Sequence, residues 1–326
     1  MKLRTAVVKL MLFMTLPFTT LAIAPTVHAE ERPACLEEWR SQGRFSEIDG
    51  HKIFVHASGP KSDEGVLIVH GYPGSSWDWS GVVGPVGKKT RVVVIDMLGF
   101  GQSDKPLDGK FKDYYSLMKQ ADLYEAVAKE EGLKKVVLVA HDMGQTVGTE
   151  LMARQDEGKL PFRIKHAIIL NGSTLVDMVK LAEMQKQLLK LPDQASKKDL
   201  SKEYFVKGLR PTFDKNFEPI EKTLNCMAMQ ILENDGDKVI GQILRYLDER
   251  KEFYDRWVGT LTGFQSAPMT ILWGRSDPVA HEAMADRIKL WRPVTDLYKL
   301  ESVGHWPSIE VPNRVAKEII NKLDAE

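Results

Sequence analysis

The chain has 326 residues, 43% of them apolar and 28% charged, and 45 basic side chains balance 45 acidic ones. That length suits one large domain with a smaller insertion, and the composition excludes a disordered or fibrous protein. No basic excess points to nucleic acid, and two cysteines without a Cys or His cluster argue against a structural metal site.

The first 29 residues stand apart. Met1-Lys2-Leu3-Arg4 and Lys9 are basic, Leu10 to Ile23 is apolar, and Val27-His28-Ala29 forms a small-residue cleavage site before Glu30. This is the pattern of a signal peptide cleaved after Ala29, and its apolar run is short for a membrane span. The mature protein is therefore expected to be secreted or periplasmic, with no stable membrane insertion. Losing Lys2, Arg4 and Lys9 leaves it at a formal charge of −3. In an oxidising compartment Cys35 and Cys226 are free to pair, which their spacing does not decide.

From Phe45 to His56 the residues alternate loosely around Asp49-Gly50, the dipeptide of a tight hairpin between two edge strands. Gly65 to His70 and Arg91 to Asp96 read as buried strands, and Ser116 to Glu131 as an amphipathic helix closed by Gly132. Val136 to Ala140 is the next buried strand, followed by a helix to about Arg154 and a strand from Ile164 to Leu170. Buried strands alternating with helices mean a mostly parallel sheet flanked by helices, an α/β fold. Between residues 172 and 265 strands vanish, and Leu, Met, Lys, Glu and Gln take over at helical spacing. That stretch reads as a helical cap inserted between a first core part (30–171) and a second (266–326). The second part resumes with Met269 to Trp273, a helix near His281 to Trp291, a strand at Asp296 to Leu300 and a last helix from Asn313.

At the end of the central strand Asp142 lies between Ala140 and Gly144, in Ala-His-Asp-Met-Gly. Small residues two places before and after a nucleophile make the tight strand-to-helix elbow that carries it at the top of such a sheet. Asp142 should stand exposed there, at a helix N-terminus whose dipole favours its charge. Asp277 directly follows a strand, and His305 sits in the loop after the next one. The order nucleophile, acid, histidine is that of a hydrolase triad, in which Asp277 orients the imidazole of His305. His70-Gly71-Tyr72-Pro73 follows a strand where a backbone donor is needed, so the N–H groups of Tyr72 and Met143 are candidates for an oxyanion hole.

These motifs resemble the epoxide hydrolase and haloalkane dehalogenase branch of the α/β-hydrolase fold. Within it, HGYPGSSWDW, DMLGFGQSDKP, HDMG and RKEFYDRWVG are most similar to the mesoderm-specific transcript hydrolase family. The likeness runs from about Gly65 to Val311, and in the cap only from about Gly241 to Gly259. It implies a small-molecule substrate and no cofactor.

A carboxylate with an ordinary pKa near 3.9 is already ionised at neutral pH and needs no base before it attacks. Attack on an acyl carbon would give a mixed anhydride, whereas attack on a saturated carbon gives an ordinary ester. The electrophile is then an epoxide or a carbon bearing a leaving group such as halide. Dehalogenases of this branch typically place tryptophan after the nucleophile and asparagine after the first His-Gly. Met143 and Tyr72 stand there instead, which counts against halide release. Met143 also departs from the tryptophan that epoxide hydrolases often carry. The resemblance implies cap tyrosines as acids for an epoxide oxygen: Tyr246 first, Tyr204 second, with Tyr254 a further candidate. Trp306, beside the histidine, is a candidate substrate contact. The expectation is a hydrolase working through an Asp142 alkyl ester, epoxide hydrolysis first and dehalogenation second. The alternative is a ligand-binding homologue without turnover.

Overall fold

The computed structural model describes residues 33–197 and 199–324; the signal-peptide expectation lies outside them. Eight strands form one sheet: β1 (Arg44–Ile48), β2 (His51–Ser58), β3 (Glu64–Val69), β4 (Arg91–Ile95), β5 (Lys135–His141), β6 (Arg163–Leu170), β7 (Met269–Gly274) and β8 (Asp296–Leu300). Their order is β1-β2-β4-β3-β5-β6-β7-β8. The β1–β2 and β2–β4 pairs are antiparallel and all others parallel. The β1–β2 hairpin turns on Asp49 and Gly50, both at positive φ, so the Asp-Gly reading holds.

Parallel strands need apolar residues on both faces, and the alternation within each run supplies them. Val66, Ile68, Val137, Val139, Ile168 and Leu272 face one layer, with Val82, Val86, Val315 and Ile319 from helices Ser80–Gly87 and Pro312–Asn321. Leu67, Val69, Leu138, Ala140, Ile169 and Ile271 face the other, beneath helices Leu117–Glu130 and Met143–Asp156. Register fixes where the strands stop. Val69 pairs with Ala140, His141 with Leu170, and Leu170 with Leu272. The carboxyl ends of β3, β5, β6 and β7 therefore lie along one edge, where ligands bind in open α/β sheets.

Between β6 and β7 the described residues hold helices and no strand. Glu183–Leu188, Lys202–Leu209, Ile220–Leu232, Gly236–Ile243, Tyr246–Glu252 and Tyr254–Gly263 make up the segment. Its first part is less regular than helical spacing suggests, with a single 3-10 turn at Val176–Met178. A short helix, Ala34–Ser41, precedes the sheet, and a Cys35–Cys226 disulfide joins it to helix Ile220–Leu232. No described helix is long and apolar enough to cross a membrane.

Candidate active site

The sharp turn after β5 is carried by Asp142 itself, at φ 51° and ψ −118°. A residue with a side chain adopts such backbone only where its surroundings hold it there. Two glycines permit the packing. A Cβ on Gly144 would lie 2.2 Å from the His70 carbonyl oxygen, and one on Gly71 would lie 2.5 Å from the Asp142 Cβ. Bulk at either place would push the elbow off the β3 loop.

The expectation of an exposed Asp142 is corrected: the residue is 2% exposed. The sequence places it correctly at the sheet edge but does not reveal that cap side chains close over it. Its Oδ1 accepts the Tyr72 N–H at 2.7 Å, and its Oδ2 lies 3.5 Å from His305 Nε2. His305 Nδ1 donates to Asp277 Oδ2 at 2.7 Å. Asp277 Oδ1 accepts the N–H groups of Val279 and Ala280 at 2.7 and 3.0 Å, which fixes the carboxylate plane. Asn171, at the end of β6, donates to Asp277 Oδ2 at 2.8 Å and accepts the Gly274 N–H at 2.9 Å. Its position at a strand end is legible in the sequence; its duty toward the acid is not.

Burial alone would raise the Asp142 carboxyl. The hydrogen bond and charge of His305, with Arg250 further off, outweigh it and hold the carboxyl down at about 2. Burial would likewise strip His305 of its proton, but the charges and hydrogen bonds of Asp277 and Asp142 prevail and hold its pKa well above the ordinary value. The resting site is thus an imidazolium between two carboxylates. His70 and His141, buried without such partners, are pushed down to about 4 and are neutral at pH 7. His141 Nε2 donates to the His305 carbonyl at 2.7 Å, a second support for that loop.

The cap contributes Tyr246 and Arg250 from one short helix, both at most 1% exposed. The Tyr246 ring lies 5.7 Å from that of Tyr72, and the Arg250 guanidinium sits 4.5 Å over its face. Burial and the Asp142 charge push the Tyr246 phenol up, while a hydrogen bond and the charge of Arg250 oppose them. Arg250 also donates to Thr146 Oγ1 at 2.8 Å, to Ser173 Oγ at 2.7 Å and to the Asp142 carbonyl at 3.2 Å. A buried guanidinium that bonds the backbone of Asp142 is a candidate site residue the sequence reading misses. Arg250 lies inside the quoted RKEFYDRWVG motif, but a charge run usually marks a solvated helix face.

The other candidates lie further from the reacting atoms. The Tyr72 hydroxyl donates to the Ile240 carbonyl at 3.1 Å, so its side chain ties the loop after β3 to the cap. Tyr204 is half-buried and lines a cleft of about 550 Å3 with Met184, Thr212, Pro278 and Val279. Neither Asp142 nor His305 lines that cleft; it reaches the site's flank, at the loop after Asp277. Tyr254 is part-buried near Asp177, and burial with the Asp177 charge pushes its phenol up. Trp306 is buried edge-on to His305, and its indole N–H donates to Thr212 Oγ1 at 2.8 Å. Among the described residues no group of His, Cys, Asp and Glu has the make-up to hold a metal ion.

Comparison with known proteins agrees with this fold. The model of the α/β hydrolase fold family matches residues 65–312. The chain is 33% identical over 288 residues to LipZ of Mycobacterium tuberculosis, whose name calls it a hydrolase; the match covers 88% of this chain and 98% of LipZ. It is 33% identical over 290 residues to the human mesoderm-specific transcript homolog protein, covering 85% of this chain and 84% of the relative. Epoxide hydrolase 3 of Xenopus tropicalis is 29% identical over 144 residues, 43% of this chain and 37% of that protein. The chain belongs to the α/β-hydrolase family.

Proposed function

We propose that this hydrolase opens carbon electrophiles through an Asp142 alkyl ester, with small organic epoxides as its substrates. One observation carries the reading. A buried carboxyl group occupies the elbow, one oxygen on the Tyr72 N–H and the other toward His305. In the first step an Asp142 oxygen attacks an epoxide carbon. The carbon–oxygen bond of the ring breaks, and the released alkoxide takes the proton of the Tyr246 hydroxyl. Arg250 favours that transfer because its guanidinium lies over the ring and its charge stabilises the phenolate.

Esterification also prepares the second step. It removes the Asp142 charge and hydrogen bond that help keep His305 protonated, so the imidazolium gives its proton to solvent while solvent returns one to the Tyr246 phenolate, and the neutral imidazole can act as base. Neutral His305, oriented by Asp277, then takes a proton from water as the water attacks the ester carbonyl. The oxyanion forms on the oxygen that the Tyr72 N–H already holds; the Met143 N–H, at the start of the next helix, is the proposed second donor. The acyl–oxygen bond breaks, the departing alkoxide takes the proton of the new carboxyl group, and the diol leaves with Asp142 a carboxylate and His305 protonated again.

Dehalogenation is the second reading. It would need N–H donors for halide, and the Trp306 indole is already engaged by Thr212. A panel of epoxides and haloalkanes, run with wild type and Asp142→Ala, tests the choice. Single turnover in heavy-oxygen water should leave the label in the Asp142 carboxylate and not in the first product. Label appearing directly in that product would overturn the covalent route. Halide release without diol formation would favour the second reading, and no turnover of either class would favour a ligand-binding role. Secretion after removal of residues 1–29 is part of the proposal, and the Cys35–Cys226 disulfide is compatible with it.

A further inference from the structure

Glu310 closes the short helix that follows His305, and its part-buried carboxylate is wholly engaged by backbone. One oxygen accepts the Gly304 N–H at 2.9 Å and the Asp214 N–H at 3.0 Å; the other accepts the Trp306 N–H at 3.1 Å. Between those donors the N–H of His305 itself donates to the Thr212 carbonyl at 2.8 Å. All three successive backbone N–H groups of the base loop are therefore held, two by Glu310 and one by the cap. The cap also holds the Trp306 indole, through the Thr212 hydroxyl. Its backbone presses so close that a Cβ on Gly304 would lie 2.6 Å from both Asp214 N and Thr212 O.

We infer that Glu310 and Thr212 are positioning residues that make the placement of His305, and with it hydrolysis of the alkyl-enzyme, conditional on the cap being seated. Glu310 bridges the base loop and the cap with one carboxylate, so neither can shift without leaving a backbone donor unpaired. The inference rests on the proposed ester mechanism, in which only the second step uses His305 as a base. Loosening the His305 loop from the cap, with Tyr246 and Arg250 still in place, then leaves Asp142 able to attack but its ester slow to hydrolyse. Misplacement by about 1 Å is enough to cost roughly a hundredfold in such a step.

Glu310→Gln and Thr212→Val test it in the full-length protein. In Glu310→Gln an amide N–H₂ replaces one acceptor oxygen while the shape is kept. Ester formation should be unchanged and ester hydrolysis slowed about tenfold to a hundredfold. The Asp142 adduct should then accumulate in an intact-mass measurement, as it does not in wild type. Thr212→Val should act in the same direction more weakly, and the double variant should fall short of the product of the two. The low-field proton signal of His305 Nδ1–H in the free protein, read by NMR, should shift or broaden in both variants. Equal slowing of both steps, or two unchanged steps with an unchanged signal, would overturn the inference. If wild type forms no adduct with any electrophile, the ester mechanism fails on its own, and the NMR signal alone decides whether these residues position His305. Should Glu310→Gln not fold, Thr212→Val carries the same comparison.

Discussion

The sheet edge and the cap supply the site with groups of opposite character. From the sheet edge come Asp142, Asp277, Asn171 and the Tyr72 N–H, each one to three residues beyond a strand. Their placement follows from strand register, which one slipped residue would destroy for every strand at once. From the cap come Tyr246 and Arg250, on a helix of seven residues whose position depends on side-chain packing over the sheet. The anionic, covalent part of the proposed chemistry stands on the rigid element, and the part that handles the leaving group stands on the adaptable one. In the proposed chemistry, substrate choice can therefore change in the cap while Asp142 and His305 stay fixed.

The first way to break this division is Asp142→Asn. It keeps the elbow's shape and should lower kcat by about 10⁴-fold or more, because it removes the nucleophile itself. Substantial residual turnover in a steady-state assay would place the chemistry elsewhere. Tyr246→Phe probes the cap side. It should cost epoxide turnover about 10²- to 10³-fold, the range of one general acid, and leave adduct formation from an alkyl halide nearly unchanged. An equal loss on both substrates would mean that the tyrosine shapes the site and does not protonate.

Stability should divide along the same line. Replacing Cys35 and Cys226 together with serine removes a link between residues 191 apart, worth about 2–4 kcal/mol. Calorimetry should find the melting temperature lower by roughly 5–10 °C, with adduct formation at 25 °C retained. The smallest effect is a titration. His305 is held charged by its two carboxylates, so Asp142→Asn should lower its pKa, observable as an earlier loss of the imidazolium NMR signal as pH rises. Linkage gives the same sign. A raised histidine pKa adds stability below its ordinary value near 6.5 and loses it as pH rises through the folded-state value. The variant should therefore show a flatter decline of stability at alkaline pH.

The contrast also explains what can be read from the chain alone. Asp142, Asp277 and His305 are legible because buried runs announce strands, and strands of one parallel sheet end on a common edge. The helical period of residues 172–265, by contrast, is the same whether a helix faces the sheet or the solvent. Glu249-Arg250-Lys251-Glu252 reads as four surface charges, yet Glu249 and Arg250 are buried and the other two exposed. Glu249 caps helix Leu117–Glu130, accepting from the Ser116 hydroxyl and the Leu117 N–H. No local pattern separates those two from their neighbours. Glu310 is hidden in the same way, as one acidic residue near a helix end.

The disulfide changes what the cap can do as a moving part. A segment joined to its core only where it leaves β6 and re-enters β7 has one hinge line and can swing about it. Cys226 pins the middle of that segment to the helix that precedes the sheet, and three anchors define a plane where two define only an axis. Reduction would return the hinge, and with it a door in place of a fixed roof.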